Sequence, residues 1–471
     1  MSSGAPIVQG DPIAPVILGV TTILAFAIIG RMGARKLHQP TVLGELIMGI
    51  LLGNIAWYMG FDLITVLREG SRVFDIVNQA LTGVSIEQAA TQIFGSVKGA
   101  ELARIITGHQ GGEVMQVAQA VEVFSRYGVI FLLFMVGLET NMDELRSVGG
   151  AAIRVAVIGV VAPVALGYFA ADWLRPDLPF GSDLFIAATL AATSIGITAN
   201  VLSETGTHRS REGHIILGAA VCDDILGLII LAVVSGIVVS GSVHFPDVIR
   251  VVAVSTIFLV AVVKLGPSII RLAANLMGPF DVVEAKMFTS YLFVMVLAWA
   301  ANLAGLATII GAFAAGVVLS DNFFRDTDEA GQKFVRIREL IMPLEVILVP
   351  IFFILMGIQV KLESFTSWTV VTLAGGLLIA AVVGKLISGL GVWGGTNRLA
   401  IGFGMLPRGE VGLVFASIGR TLGVINDAIF SAIVLMIIVT SLMAPPLLKY
   451  SIDRQARMAQ SRSGNPSSTS R

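Results

Sequence analysis

The stretch VCDDILGL (residues 221–228) places two adjacent carboxylates, Asp223 and Asp224, inside an otherwise apolar run. GHIILGAA precedes it and IILAVVSGIVV follows it. A helix needs about 20 predominantly apolar residues to cross a bilayer, and this run is long enough. Charged groups at that depth are rare and usually functional. The stretch therefore predicts a membrane-spanning helix whose two acids serve a purpose.

The composition of the whole chain is that of a polytopic membrane protein. Of its 471 residues, 55% are hydrophobic and 13% are charged, whereas soluble domains average about 25% charged. Counting apolar segments predicts an all-α protein with about 13 transmembrane helices. The formal net charge of −1 gives no indication of a nucleic-acid partner. We expect a protein of the bilayer that is not an enzyme and holds no cofactor.

Basic residues alternate between the connecting loops. RMGARK, THRSRE, RDTDEAGQKFVRIRE, TNR and the tail sequence DRQAR are basic, whereas intervening loops such as DWLRPDLPFGSD are acidic or short. Because cytoplasmic loops carry an excess of Lys and Arg, this predicts an N-terminus outside and a cytoplasmic C-terminus. We expect the cell inner membrane as the location.

Two regions depart from the hydropathy pattern. Residues 61–119 have helical periodicity with mixed charges, and by parity they form an extracytoplasmic insert of interfacial or capping helices. Residues 451–471 have the composition of a disordered cytoplasmic tail.

Two pairs of segments resemble each other within the chain. VLGELIMGILLG in the second span resembles IIGAFAAGVVLS in the ninth and aligns Gly49 with Gly316. FLLFMVGLETNMDE in the third span resembles IFFILMGIQVKLES in the tenth and aligns Gly137 with Gly357. Both pairs are seven spans apart, and because seven is odd the two copies face opposite ways. This predicts inverted-topology repeats, which are typical of secondary transporters.

The repeat pairs the fifth span with the twelfth, and both contain helix-breaking sequence. The fifth contains the hydroxyl-rich LAATSIGITANVLSE, and the twelfth contains FGMLPRGEVGLVFA, with Pro407 and Gly409. Broken helices expose backbone carbonyls at bilayer depth, which suits ion binding. We therefore expect both spans to be interrupted near the middle.

Further charges lie deep in the last spans. Lys385 is in the eleventh, and Arg408 and Glu410 are in the twelfth. Adjacent residues on a helix point about 100° apart, so only one of Asp223 and Asp224 can face Lys385 squarely while the other faces the broken helices. An ion pair offsets part of the desolvation of both members.

The remaining carboxylate has a different expected role. Burial disfavours its charged form, and a carboxyl that titrates beside oxygen ligands can exchange a proton for a small hard cation. Thr193 and Ser194 of the fifth span offer such oxygens. For Arg408 and Glu410 an alternative stays open, because they could simply compensate the dipole ends of the broken helices.

These motifs together resemble the monovalent cation:proton antiporter-2 family. The resemblance covers nearly the whole membrane region and lies in QPTVLGELIMGILLG, GVIFLLFMVGLE, ATSIGITANVLSE, GAAVCDDILGLI, GLATIIGAFAAGVVLS, VVGKLISG and GMLPRGEVGLVFA. It implies a sodium/proton antiporter fold in which the two broken helices cross, a homodimer and elevator-like alternating access. The implied dimerisation scaffold is 12–60, 120–140 and 284–360, the ion-transporting core is 147–240 and 366–450, and the linker helix is 246–270.

The resemblance also implies roles for individual residues. Asp224 resembles the aspartate that binds the ion and the proton, and Asp223 resembles its neighbour, which pairs with Lys385. The residues implied in binding of the proton or Na⁺ are Asp224, Asp223, Thr193 and Ser194, with the two aspartates as the Na⁺ ligands, and those implied in charge coupling are Lys385, Arg408 and Glu410.

The expected function is electrogenic exchange of Na⁺ (or Li⁺) for H⁺. A K⁺/H⁺ antiporter of the same fold is the alternative, because the sequence does not fix the size of the ion cavity. A non-transporting sensor would be expected to lose an acid or to carry a large signalling domain.

Overall fold

The computed structural model describes residues 11, 13–37, 39–139, 149–205, 207, 210–240, 245–277, 280–321, 323–324, 335–393 and 395–463. In the first part of the chain the helices are α1 (Ala14–Lys36), α2 (Thr41–Tyr58), α3 (Asp62–Arg68), α4 (Val73–Leu81), α5 (Ile86–Phe94), α6 (Ser96–Thr107) and α7 (Gly111–Glu139). The middle part contains α8 (Gly150–Leu174), α9 (Phe180–Thr189), α10 (Ile195–Glu204), α11 (Arg211–Ser240), α12 (Phe245–Leu276) and α13 (Val282–Leu303). The last part contains α14 (Thr308–Val318), α15 (Ile337–Ile358), α16 (Trp368–Ser388), α17 (Arg398–Gly404), α18 (Glu410–Thr421) and α19 (Asp427–Ser463).

The all-α membrane architecture is confirmed. Within the described residues, 10 helices are long and apolar enough to cross a bilayer. The remaining apolar segments are the short helix α14 and the two interrupted helices, α9–α10 and α17–α18. Together these correspond to the predicted set of about 13 spans.

Two segment boundaries differ from the sequence-based expectation. Helix α7 begins at Gly111, about two turns before the apolar part of the third span, because the residues EVMQVAQA that follow are mostly strong helix formers. Helix α19 continues to Ser463, so the first part of the predicted tail is helical. Its residues DRQARMAQ are good helix formers that extend a helix already nucleated in the span. Residues 464–471 lie outside the described part.

The chain forms two compact units. One is Met1–Leu132 with Pro343–Leu362, and the other is Leu133–Met342 with Glu363–Arg471. The predicted division into a dimerisation scaffold and an ion-transporting core stays a prediction.

Glycines in the predicted repeats mark two equivalent helix contacts. In the first unit, Gly49 of α2 lies against the backbone of Gly357 in α15. In the second unit, Gly137 of α7 lies against the backbone of Gly316 in α14. The repeat aligns Gly49 with Gly316 and Gly137 with Gly357, so the two contacts are copies of each other. This agreement supports the inverted repeat.

The insert is built from α3 to α6 and packs within the first unit. The carboxylate of Glu69, directly after α3, pairs with Lys361 at 2.7 Å and with Lys98 of α6 at 3.0 Å. The neighbouring Arg68 is buried and stacks its guanidinium over Trp57 at 4.3 Å. Charged side chains therefore join the insert to the ends of α2 and α15.

Candidate functional site

The first interruption lies between α9 and α10. Residues 190–194 are not α-helical, yet all are buried. Thr193 and Ser194 compete with the helical hydrogen bonds of the backbone through their hydroxyl groups. The carbonyls of Leu190, Ala191 and Ala192 therefore need partners from outside their own helix.

The second interruption lies between α17 and α18. Pro407 has no backbone N–H and restricts the residue before it, so the helix cannot continue through this point. At Gly409 a β-carbon would lie 2.8 Å from the β-carbon of Ser194. The two breaks thus meet at a point where only glycine fits.

Hydrogen bonds join the two breaks directly. They run from the amide of Ser194 to the carbonyl of Pro407 at 2.8 Å, from the hydroxyl of Thr193 to the carbonyl of Met405 at 3.1 Å, and from the hydroxyl of Thr198 to the carbonyl of Gly404 at 2.7 Å. The predicted crossing of two broken helices is therefore present.

Lys385 of α16 lies beside the first break and contacts Asp223 of α11. Its Nζ atom is 3.0 Å from Asp223 Oδ2 and 3.2 Å from Oδ1. The same nitrogen donates to the carbonyl oxygen of Ala191 at 2.7 Å. Both side chains of the pair are 0% exposed. Lys385 therefore joins a carboxylate to a backbone oxygen that the break has released.

Arg408 binds the same broken segment from the other side. Its Nη1 atom donates to the carbonyls of Leu190 and Ala192, the latter at 3.0 Å. Its Nε and Nη2 atoms are buried without a hydrogen-bond partner among the described residues. The guanidinium stands at the C-terminal end of α9, where a cation offsets the negative end of the helix dipole. The hydroxyl of Ser441 in turn donates to the carbonyl of Arg408.

The other predicted site residues lie in the same region, with one outside the described part. Asp224 is 4% exposed and interacts electrostatically with Lys385. The hydroxyl of Thr193 is within hydrogen-bonding reach of Asp223 as well as Met405, and its single proton serves one acceptor at a time. The side chain of Glu410 lies outside the described residues.

The four described charges at the site balance when all are ionised, since two carboxylates face an ammonium and a guanidinium. Adding one proton or one monovalent cation gives a net charge of +1, and adding both gives +2. In a buried site of low dielectric the doubly charged state is strongly disfavoured. The arrangement can therefore make a proton and a cation compete.

A cation at this site would draw on several kinds of oxygen ligand. No group of three or more His, Cys, Asp or Glu side chains within the described residues is placed to hold a metal ion. Hard cations accept carboxylate, carbonyl and hydroxyl oxygens. The site contains oxygen atoms of these kinds in the carboxylates of Asp223 and Asp224 and in the carbonyls of 190–192.

Sequence reasoning expected exposed carbonyls at the breaks, but it missed which side chains bind them and it missed Ser441. A carbonyl has no sequence signature beyond the helix break itself. Ser441 had a signal, because the pair Thr440 and Ser441 is polar within the apolar run of α19. Its specific partner could not be read from the sequence, since it depends on how α19 packs beside the second break.

Inverted repeats, two crossed helix breaks and buried paired charges define an ion-coupled secondary transporter. The sodium/hydrogen exchanger transmembrane family model matches residues 21–450. The chain therefore belongs to the sodium/hydrogen exchanger family.

Two curated relatives match over nearly their whole length. The high-affinity Na⁺/H⁺ antiporter NhaS3 of Synechocystis sp. is 34% identical over 447 residues, which is 93% of this chain and 90% of NhaS3. The Na⁺/H⁺-K⁺ antiporter GerN of Bacillus cereus is 30% identical over 440 residues, which is 91% of this chain and 94% of GerN.

A solved structure shows the same fold. The sodium proton antiporter MjNhaP1 of Methanocaldococcus jannaschii, at pH 8, aligns with a TM-score of 0.61 over 95% of this chain and 99% of that one. The sequence identity is 15%, so the similarity concerns the fold alone.

Proposed function

We propose that the protein is a secondary active antiporter that exchanges Na⁺ (or Li⁺) for H⁺ across the membrane. The observation that carries the proposal is the balanced set of buried charges beside the two helix breaks. The names of the relatives NhaS3 and GerN support the same exchange.

Competition for one carboxylate would drive the exchange. Asp224 is the proposed carrier, because Asp223 already has its charge offset by Lys385. A proton on Asp224 neutralises it, and a Na⁺ ion does the same with help from carbonyl and hydroxyl oxygens. Since both together would leave a buried charge of +2, arrival of one favours release of the other.

Lys385 gives the exchange its proposed electrical character. When a cation approaches, Asp223 can turn from Lys385 to the ion, and the ammonium loses the partner that favours its charged form. If Lys385 then releases a proton, two protons move for each Na⁺. One net charge crosses in each cycle, so the exchange is electrogenic.

The proposed domain movement is the one that the family resemblance implies. The core of 147–240 and 366–450 would shift against a dimeric scaffold in an elevator-like motion, so that the site faces each side in turn. The proposed setting is the cell inner membrane with the N-terminus outside. The alternating basic loops support this orientation.

The test is a cation series on the purified protein in proteoliposomes, with a pH indicator inside. Na⁺ and Li⁺ are expected to drive proton movement, choline is not, and the rate should respond to an imposed potential of either polarity. If no alkali cation drives proton movement, the proposal is wrong. A rate indifferent to potential would remove the electrogenic step.

K⁺/H⁺ exchange is the second candidate. GerN, whose name includes K⁺, is 30% identical to this chain. Oxygen ligands accept both ions, and selectivity depends on cavity size. K⁺ in the same series, measured beside Na⁺ at equal concentration, decides between the two.

A further inference from the structure

Asp183 is a buried acid that the proposed exchange does not use. It lies in the first turn of α9, at the opposite end of that half-helix from the break. The residue is 2% exposed, and its Oδ1 atom has no hydrogen-bond partner among the described residues. A buried carboxylate oxygen without a donor is disfavoured, and a proton on the carboxyl group relieves this.

Two neighbouring carboxylates make a negative charge on Asp183 still less favourable. The carboxylates of Asp172 and Asp177 repel that of Asp183. Arg175, the cation of this loop, is engaged by Asp177 through bonds of 3.0 and 2.8 Å. Tyr168 of α8 is close enough to interact electrostatically with Asp183 and offers a hydroxyl group.

Within the described residues, the other helices packed against α9 supply no unengaged cationic side chain to Asp183. The half of α11 that follows Asp224 has no ionisable side chain through Ser240. At the junction of α18 and α19, Arg420 pairs with Asp427 at 2.7 Å. Neutralisation by a proton is thus the simplest way to balance Asp183.

Asp183 lies apart from the ion pair of Lys385 and Asp223. Asp183 and Ala191 are eight positions apart in sequence, or about 12 Å along a helix. The buried side chains between them are apolar until Thr189, whose hydroxyl donates to the carbonyl of Ile186. A proton on Asp183 is therefore a distinct event from protonation of Asp224.

We propose that Asp183 is a second proton-binding site, which takes up protons from the aqueous side opposite the basic loops. The inference rests on the proposed proton-coupled exchange. Its chemistry is protonation of one carboxylate to the neutral acid, with the proton drawn from water on that side. The exposed carboxylates of Asp172 and Asp177 raise the local proton concentration near Asp183.

The test measures Na⁺-driven exchange in oriented proteoliposomes while the pH is varied on one side at a time. For Asp183→Asn, the exchange rate plotted against the pH on the side opposite the basic loops is expected to lose a titration step. The dependence of the rate on the pH of the other side is expected to match that of the wild-type protein. Asp183→Glu should restore the step, and Ser182→Ala, a change at the buried neighbour, should leave both profiles intact.

Unchanged profiles in Asp183→Asn, or an equal change on both sides, would overturn the inference. If that variant does not fold, Asp172→Asn with Asp177→Asn provides the test, since loss of repulsion should move the step to lower pH. A step that stays in place contradicts the proposal. Difference infrared spectra of the wild type against Asp183→Asn detect the protonated carboxyl directly and do not require transport. A failure of the proposed exchange can therefore be distinguished from a failure of this proton-binding site.

Discussion

Lys385 and Asp223 form an ion pair, at 3.0 Å, in which neither side chain reaches the surface. They are 162 residues apart in sequence, and the same ammonium also holds the carbonyl of Ala191. A buried pair of this kind adds little net stability, but removing one member leaves an uncompensated charge. The ammonium of Lys385 thus links the carboxylate of Asp223 to a backbone oxygen of the first helix break.

Lys385→Met is expected to destabilise the protein by about 3–5 kcal/mol, because Asp223 keeps a buried charge without its partner. Adding Asp223→Asn should recover most of that loss. Thermal unfolding in detergent measures both, with Lys449→Met, an exposed lysine, as the control. Equal destabilisation in the single and the double variant would show that Lys385 acts through packing alone.

Asp224→Asn is expected to abolish cation-driven proton movement while leaving the unfolding temperature close to wild type. The amide keeps the shape of the side chain but cannot exchange a proton for a cation. Exchange in proteoliposomes is the measurement, and Glu113→Gln, at an exposed position of α7, is the matched control. Wild-type rates in Asp224→Asn would remove this residue from the proposed site.

Arg408→Gln is expected to lower both the KM for Na⁺ and the turnover number. Loss of the guanidinium leaves the described charges of the site at −1, which holds a cation more tightly and releases it more slowly. Arg408→Lys keeps the charge, so its KM should stay near wild type. Initial rates across a Na⁺ series separate KM from turnover. An unchanged or higher KM in Arg408→Gln would mean that Arg408 serves the helix end only.

Much of this arrangement could be read from the sequence. Apolar length predicted the spans, Pro407 predicted the second break, and the rarity of buried charge singled out Asp223 and Lys385. These features depend on composition and local chemistry, which a sequence records directly.

The partners of backbone atoms could not be predicted. Arg408 donates hydrogen bonds to the carbonyls of Leu190 and Ala192. These partners depend on how two breaks that are distant in sequence cross. The buried Asp183 escaped notice because it is the last of three acids in the loop sequence DWLRPDLPFGSD and looks like an ordinary surface residue. Its burial comes from the packing of helices around α9, which no local pattern encodes.

The glycine contacts give a prediction that separates close helix packing from helix propensity. At Gly316 an added β-carbon would meet the carbonyl of Phe134 and lie 2.7 Å from the amide nitrogen of Leu138. Backbone cannot yield as a flexible side chain does, so Gly316→Ala should destabilise the protein by about 1–3 kcal/mol.

Gly375 of α16 is the matched control for this change. No atom lies within 4 Å of a β-carbon placed there, so Gly375→Ala is expected to be neutral or to stabilise the helix by up to about 1 kcal/mol. Thermal unfolding of both variants in the same detergent is the measurement. Because Gly49 occupies the equivalent place in the other repeat, Gly49→Ala should behave as Gly316→Ala does. Similar unfolding temperatures for Gly316→Ala and Gly375→Ala would show that α7 and α14 do not approach as closely as described.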